Sequence, residues 1–494
     1  MKNAHGWLIA VGIFSALIWS AVTFISFGLP ESACSVFKAA TFGLFNGALD
    51  TLHNGFFYEV PNRNMPTAVF IFLFSIAFFV YFIIAARIGK CPASAKSFAI
   101  VIIFSILFRL ILLPSVAIHE SDFYRYLWDG KSFKNGINPF KYAPAEVNSA
   151  KAETNQDIKR LKDLRDKNPL YFERINHRGV PTIYPPLAQV VFAASSIIKE
   201  DSIFVLKSIF VFFDILAVIL IGLLLTHFKM NPSLAVVYGW SPLVLKEIAN
   251  SGHYDSITIF LTLLALYLLI KNRALAGSVT LAAAGLFKFY PLLLLLLYIK
   301  RIKIRHLLGF VAGVIGMYVP FFIWGRTGVD KVFAGLSIYS QKWAYNGSLF
   351  VLLQSFLDML HFRAISSFFL ARLIMGAVFI ILFLYLALKK SNEPLDILRR
   401  ILFVLTALFL LNPVGEPWYF CWAIPFLCFF PYRSLLLLSW LLVFSYLSFA
   451  HDYGTMRVGN LEIPILNAIQ YVPFFPFFIW EFVLRKRNKL EYVE

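Results

Sequence analysis

Residues 98–130 read FAIVIIFSILFRLILLPSVAIHESDFYRYLWDG, and the chemistry of the chain changes inside that stretch. Up to Ile118 the segment is apolar apart from Ser105, Arg109 and Ser115. As a helix rising ~1.5 Å per residue it covers the ~30 Å hydrocarbon core of a bilayer. From His119 the residues turn acidic, aromatic and basic. The stretch therefore reads as a membrane span delivering a polar segment at the lipid boundary. Apolar runs of the same kind recur near 7–29, 66–86, 203–226, 232–248, 307–324, 366–388, 434–450 and 462–483, with shorter ones near 255–270, 398–412 and 418–432.

Composition agrees. Apolar residues make up 59% of the 494 and charged residues only 15%, with a mean hydropathy of +0.73. A water-soluble domain carries about 25% charged residues, so a soluble enzyme is excluded. The formal charge of +18 comes from basic residues lying between apolar runs, which reads as membrane topology rather than a nucleic-acid footprint. Cys34, Cys91, Cys421 and Cys428 form no CxxC or Cys/His pattern, so neither a zinc site nor a disulfide framework is expected. The 7–29 run lacks a small-residue cleavage site and reads as a span, not a removed signal.

Short basic loops orient the spans. Arg87, Lys90 and Lys96 mark one cytoplasmic loop, His227 and Lys229 the next, and Lys271 and Arg273 a third. Lys300, Arg301, Lys303 and Arg305 form the strongest mark, followed by Lys389, Lys390, Arg399 and Arg400, then Arg433, then Arg485, Lys486 and Arg487. Both termini come out inside. This parity leaves 186–198 and 349–360 as short helices that begin and end outside. It also makes 274–299 a hairpin split at Phe289-Tyr290-Pro291, with Lys288 near its tip on the outer side. Irregular backbone at membrane depth is tolerated where it lines a protein cavity, so these elements point to an internal site opening outward. The expected fold is all-α: a polytopic membrane protein of about 12–14 transmembrane helices, with short re-entrant helices and one large extracytoplasmic loop. Residues 1–97 supply two N-terminal spans and a cytoplasmic loop, 98–483 the core with 119–202 as the large loop and its juxtamembrane helix, and 484–494 a basic tail.

Residues 119–185 are the one long polar stretch, with twelve Lys plus Arg and nine Asp plus Glu in 67 residues. Within it, 145–168 has poor apolar periodicity and reads as a solvated helix or loop. Glu120 and Asp122 stand where a helix leaves the membrane, a suitable place for a base acting on a polar substrate whose partner is a lipid. Tyr124, Arg125, Tyr126, Trp128 and Asp129 add rings and hydrogen-bonding groups that suit either sugar faces or the interfacial belt. By residue type alone, Asp122 equally fits an ordinary loop or helix-cap acid.

The succession HESDFYRYLWDG, GINPFKYAP, YPPLAQVVF, WSPLVLKEIANSGHYD (240–255), LFKFYP (286–291), NGSLF (346–350) and NPVGEPWYF (412–420) resembles the GT-C superfamily of integral-membrane glycosyltransferases. It looks most like the bacterial polyprenyl-phosphate-mannose-dependent alpha-mannosyltransferases, over about residues 98–480. GHYD stands where relatives often read GHND, which gives Tyr254 an unexpected place. The resemblance implies transfer of a sugar, with mannose first, from a polyprenyl monophosphate to an acceptor hydroxyl on the extracytoplasmic face, with inversion. It places the catalytic acid in the first large outer loop, where Asp122 is the match and Glu120 competes. For the carrier phosphate the candidates are Lys288, His253, Tyr290 and Arg125. For acceptor or sugar they are Tyr124, Trp128, Asp129, Tyr184, Asp255, Trp343, Asn346, Glu416, Trp418 and Tyr419.

Duller roles stay open: snorkelling for Lys288, helix capping for His253 and Asp255, belt anchoring for the tryptophans. A donor with one phosphate requires no bridging metal, so no metal and no cofactor are expected. The partners implied are the lipid-linked donor, membrane lipids, and a glycolipid, glycan or protein hydroxyl, without nucleic acid. Richness in Phe and Lys suggests an AT-rich bacterial genome, hence a plasma membrane with the site on its periplasmic or extracellular side. Two alternatives remain at this stage: another polyprenyl-phosphate sugar, or a multi-span transporter or flippase of lipid-linked sugars.

Overall fold

The computed structural model describes residues 4–28, 64–149, 154–298, 302–360, 365–389, 393–458 and 461–487. Cys34, Lys300, Arg301 and Lys390 lie outside them. The described residues are almost wholly helical; one small hairpin pairs Thr455–Val458 with Leu461–Pro464 in antiparallel register. Six described helices are long and apolar enough to cross a membrane: His5–Ser26, Asn64–Lys90, Ala95–Leu112, Ile203–His227, Ile304–Arg326 and Ser367–Leu388. A broken pair, Pro242–Asn250 and Asp255–Ile270, bent by 119°, would make seven.

That is fewer full-length spans than the 12–14 expected, and proline accounts for part of the difference. The run 232–248 breaks into Pro232–Ala235, Val236–Gly239, Pro242–Val244 and a π-helical turn Leu245–Asn250. The run 418–432 becomes two four-residue helices, Pro417–Phe420 and Ile424–Leu427. Each proline removes a backbone donor and clashes with the preceding turn, so it starts a helix more readily than it continues one. The helix expected over 434–450 runs from Arg433 to Leu441 and tightens into a 3₁₀ segment, Leu442–Phe449. Short helices do appear over Pro186–Ile198, Leu349–Met359, Ala274–Gly285 and Tyr290–Tyr298, the last two broken at 286–289. The charged stretch contains a regular helix, Gln156–Lys167, because Ile158, Leu161 and Leu164 recur every three residues and are buried.

The chain forms two compact units. The first comprises Met1–His119, Ile221–Glu247 and Ala344–Glu494. Within it, Trp240 sits edge-on to Phe104 and Phe108 and donates through its indole N–H to the Val101 carbonyl at 3.0 Å. The buried Arg109 guanidinium donates to the carbonyls of Ser105 and Gly239 at 2.9 and 2.8 Å. Near the C-terminus, the Glu481 carboxylate accepts from the backbone N–H groups of Arg433 and Ser434, completing the start of the Arg433–Leu441 helix.

The second unit comprises Glu120–Leu220 and Ile248–Trp343. Its polar part is organised by the helix Asp122–Lys134, which lies against Pro186–Ile198. The approach is so close that a Cβ on Gly130 would stand 2.2 Å from the Phe192 carbonyl oxygen. After that helix, Asn138 of GINPF donates to the Phe321 carbonyl at 2.8 Å and to the Thr327 hydroxyl at 2.9 Å, tying the loop to the Ile304–Ile323 helix and the turn after it. The backbone N–H of Leu187 donates to the Leu286 carbonyl at 3.1 Å. The acid-bearing helix, YPPLAQ and LFKFYP are thereby fixed to one framework.

Gly130→Ala is expected to lower stability by about 1–3 kcal/mol, the usual cost of overpacking, because the obstacle is backbone and cannot rotate away. Gly179→Ala, where an added Cβ meets open space, serves as the control and should melt with the wild type in detergent.

Candidate active site

Asp122 opens its helix immediately after Ser121, whose side chain makes no capping bond and instead donates to Asn176 Oδ1 at 2.8 Å. The Asp122 carboxyl is part-buried; Oδ1 accepts from Asn176 Nδ2 at 3.0 Å, while the Tyr126 hydroxyl stands 3.5 Å from Oδ2, the outer limit of a hydrogen bond. Burial pushes the Asp122 carboxyl above the usual carboxylate range. The Asn176 amide, Lys288 and His177 act in the opposite direction, and Asp255 adds to the rise.

Lys288 follows the break after Ala274–Gly285. Its ammonium lies 3.3 Å from Asp255 Oδ2 and 4.5 Å from the centroid of the Tyr254 ring. Tyr254, the departure from GHND, is buried and donates to the Phe287 carbonyl at 3.2 Å. Its ring meets Tyr126, Tyr184 and Phe192 edge-on, with centroids 5.3, 5.7 and 5.4 Å away. This aromatic box joins the acid-bearing helix, YPPLAQVVF and GHYD, with Lys288 against its Tyr254 side. Asp255 is the first residue of its helix rather than the N-cap, which is Tyr254, and no side-chain capping bond forms there. The capping expectation for Asp255 is corrected: its carboxylate faces Lys288, an interaction over 33 positions that local propensity does not encode.

His253, fully buried, brings Nε2 to 4.0 Å from Glu120 Oε2, the limit of an ion pair, so the HES and SGHYD motifs meet. Tyr290 begins Tyr290–Tyr298, is buried and faces the Thr262 hydroxyl. Arg125 and Asp129 form a buried pair at 2.8 Å; Arg125 also donates to the Val180 carbonyl at 2.9 Å, and Gln189 Nε2 lies 3.4 Å from Asp129 Oδ2. Burial raises the Asp129 carboxyl while Arg125 opposes the rise. Tyr124 accepts from Arg174 at 2.9 Å and packs on Tyr171, and Trp128 packs edge-on to Phe172; both are buried among the helices of the polar segment. Trp343 lies with its ring centroid 4.1 Å from that of His177.

Four candidates, Asn346, Glu416, Trp418 and Tyr419, belong to the first unit. Asn346 donates to the Gly415 carbonyl and exchanges amide bonds with Gln470 at 3.0 and 2.9 Å. Glu416 precedes the Pro417–Phe420 helix, Trp418 is buried, and Tyr419 stacks on Trp422 at 4.7 Å.

Sequence reasoning missed Asn176, His177 and Gln189. A lone amide inside the apolar run PLAQVVF was a signal for Gln189. For Asn176 and His177 there was none, since they sit in an irregular loop among many polar residues. Burial lowers the His177 imidazole, opposed by the charge of Asp122.

Residues 25–302, more than half of the chain, match the family described as alpha-(1->6)-mannopyranosyltransferase, N-terminal domain. No curated protein and no solved structure gives a significant match.

Removing one member of the Arg125–Asp129 pair strands a buried charge. Arg125→Met is therefore expected to cost about 3–5 kcal/mol, with Arg125→Met/Asp129→Leu recovering much of the loss in a melting experiment. Equal melting of the single variant and the wild type would show the pair to be dispensable.

Proposed function

The chain belongs to the alpha-(1->6)-mannopyranosyltransferase family, and from that premise we propose that it moves mannose from a polyprenyl monophosphate carrier to an acceptor hydroxyl on the extracytoplasmic face, with inversion. The observation that carries this reading is the convergence of a part-buried carboxyl and a cation: Asp122 at a helix start, and Lys288 held by Asp255 on the Tyr254 ring.

Asp122 acts as the general base. As the acceptor oxygen attacks the anomeric carbon, its proton passes to the carboxylate. The new glycosidic bond forms as the bond from that carbon to the phosphate oxygen breaks, and the electron pair leaves with the polyprenyl phosphate. A single displacement inverts the centre. Charge grows on the departing phosphate, and Lys288 supplies the opposing charge in a site of low dielectric. Asp255 holds the ammonium in place until the phosphate arrives. His253 and Tyr290 supply further hydrogen-bonding groups for the carrier, and Arg125 with Asp129 fixes the acid-bearing helix. The tyrosines of the aromatic box offer faces for a sugar ring, and Trp343 on His177 offers a flat edge for the acceptor. Glu120, turned to His253, is the second acid of the site. Asn346, Glu416, Trp418 and Tyr419 belong to the other unit and take no part in this step. The chemistry needs no bridging metal, because the donor carries one phosphate.

The test is transfer of radiolabelled mannose from synthetic polyprenyl-phosphate-mannose into a membrane extract, with a chelator present. Wild type should label the extract and folded Asp122→Asn should not; equal transfer by the variant would move the base to Glu120 or another acid. A base must be ionised, so turnover should fall as the pH drops through the Asp122 value. Because burial raises that value, the acid limb should lie above the ~3.9 of a free aspartate. A limb at or below it would contradict the assignment.

A further inference from the structure

The Asp122 carboxylate has a built-in holder in a segment that no motif singled out. Asn176 donates through Nδ2 to Asp122 Oδ1 at 3.0 Å, and its own Oδ1 accepts from the Ser121 hydroxyl at 2.8 Å. The two contacts fix which end of the amide faces the acid. Flipping it would set the amide oxygen against a carboxylate oxygen, with no proton between them when Asp122 is ionised.

The backbone beneath Asn176 is anchored on both sides. Arg174 donates to the Tyr124 hydroxyl at 2.9 Å, Arg125 donates to the Val180 carbonyl at 2.9 Å, and the Val180 N–H closes a turn onto the His177 carbonyl at 2.9 Å. Tyr124 and Arg125 lie on the helix that Asp122 opens. The element that carries the acid therefore also anchors the loop that holds the amide.

We propose that Asn176 is the positioning residue for Asp122: its amide occupies Oδ1, favours the ionised carboxylate, and leaves Oδ2 directed at the acceptor hydroxyl. This inference rests on Asp122 being the base. Bonding to a charged acceptor stabilises that charge and stops rotation of the carboxylate, so both basicity and aim depend on the amide. The other groups facing Asp122 are the ammonium of Lys288, the imidazole of His177, the carboxylate of Asp255, and the phenols of Tyr126, Tyr184 and Tyr254. None of them donates to Oδ1 among the described residues.

The test compares pH–rate profiles of the purified full-length wild type, Asn176→Ala and Asn176→Asp, with synthetic polyprenyl-phosphate-mannose as donor and a membrane extract as acceptor. For Asn176→Ala, kcat near neutral pH should fall on the order of tenfold, as expected for losing one hydrogen bond to a charged group. Its acid limb should move to higher pH. Asn176→Asp should move the limb further, because a like charge replaces a donor, while KM for the donor stays the same in both. Ser121→Ala, which frees only the far end of the amide, should shift the limb in the same direction by less. Should Asn176→Ala fail to fold, the nearly isosteric Asn176→Asp still carries the comparison. An unmoved acid limb in folded variants would overturn the proposal, even with reduced rates, because a structural defect lowers the active fraction without moving the limb. Full activity in Asp122→Asn would instead remove the base assignment on which the inference rests. A dead Asp122→Asn with unaltered Asn176 variants would remove only the role of Asn176.

Discussion

An ammonium and a carboxylate 3.3 Å apart, with side chains 14% and 1% exposed, tie two distant stretches of the second unit together. Either charge alone in such surroundings would cost several kcal/mol, so the elements that carry them must arrive together. Helix arithmetic permits it. Asp255 begins a 16-residue helix; three residues later a 12-residue helix returns, and 286–288 complete the descent. At ~1.5 Å per residue the outgoing arm measures roughly 24 Å and the returning helix roughly 18 Å, leaving a gap that the irregular residues fill. Lys288 is thereby level with Asp255. The Tyr254 ring, one residue before the acid, lies against the same ammonium and gives the departure from the usual GHND a physical place.

Around this pair the polar residues sort by what they satisfy. Arg125 and Asp129 neutralise one another, and the Val180 carbonyl and Gln189 amide add further contacts to the pair. The first residue of that helix is different. It is part-buried, lies near the cation and the aromatic box, and one of its oxygens is only loosely engaged. One short helix thus carries two acids two turns apart, one neutralised within the helix and one near a cation from another element, with partners rather than residue type making the distinction.

The spans were legible wherever apolar residues ran unbroken. The helices at 7–29, 66–86, 98–118 and 203–226 appear within a few residues of their expected bounds, save that Pro114 brings the third to an early end at Leu112. The break near Phe289 was legible because Pro291 and Lys288 interrupt an apolar run. What hydropathy concealed were segments rich in proline, such as 232–250 and 417–431, where the apolar total suffices for a span but the backbone cannot carry one. The site was legible as far as its motifs went: Glu120 with His253, and Lys288 with Asp255, join stretches picked out separately in sequence. Asn176 was invisible, since a loop amide acquires its meaning from the fold that brings it to Ser121 and Asp122.

The nine residues of Tyr290–Tyr298 reach roughly 14 Å and the twelve of Ala274–Gly285 roughly 18 Å, each well short of a ~30 Å bilayer core. Neither is a self-sufficient insertion unit during synthesis. They must enter as one hairpin, with a lysine at the turn whose transfer to mid-membrane costs about 3 kcal/mol on insertion scales. Asp255 lies 33 residues before Lys288, at the start of the preceding helix, so the counter-charge enters with the same stretch of chain. The Lys288–Asp255 pair is, in this light, also an assembly constraint: the acid and the base that neutralises it lie on consecutive segments of one stretch of chain.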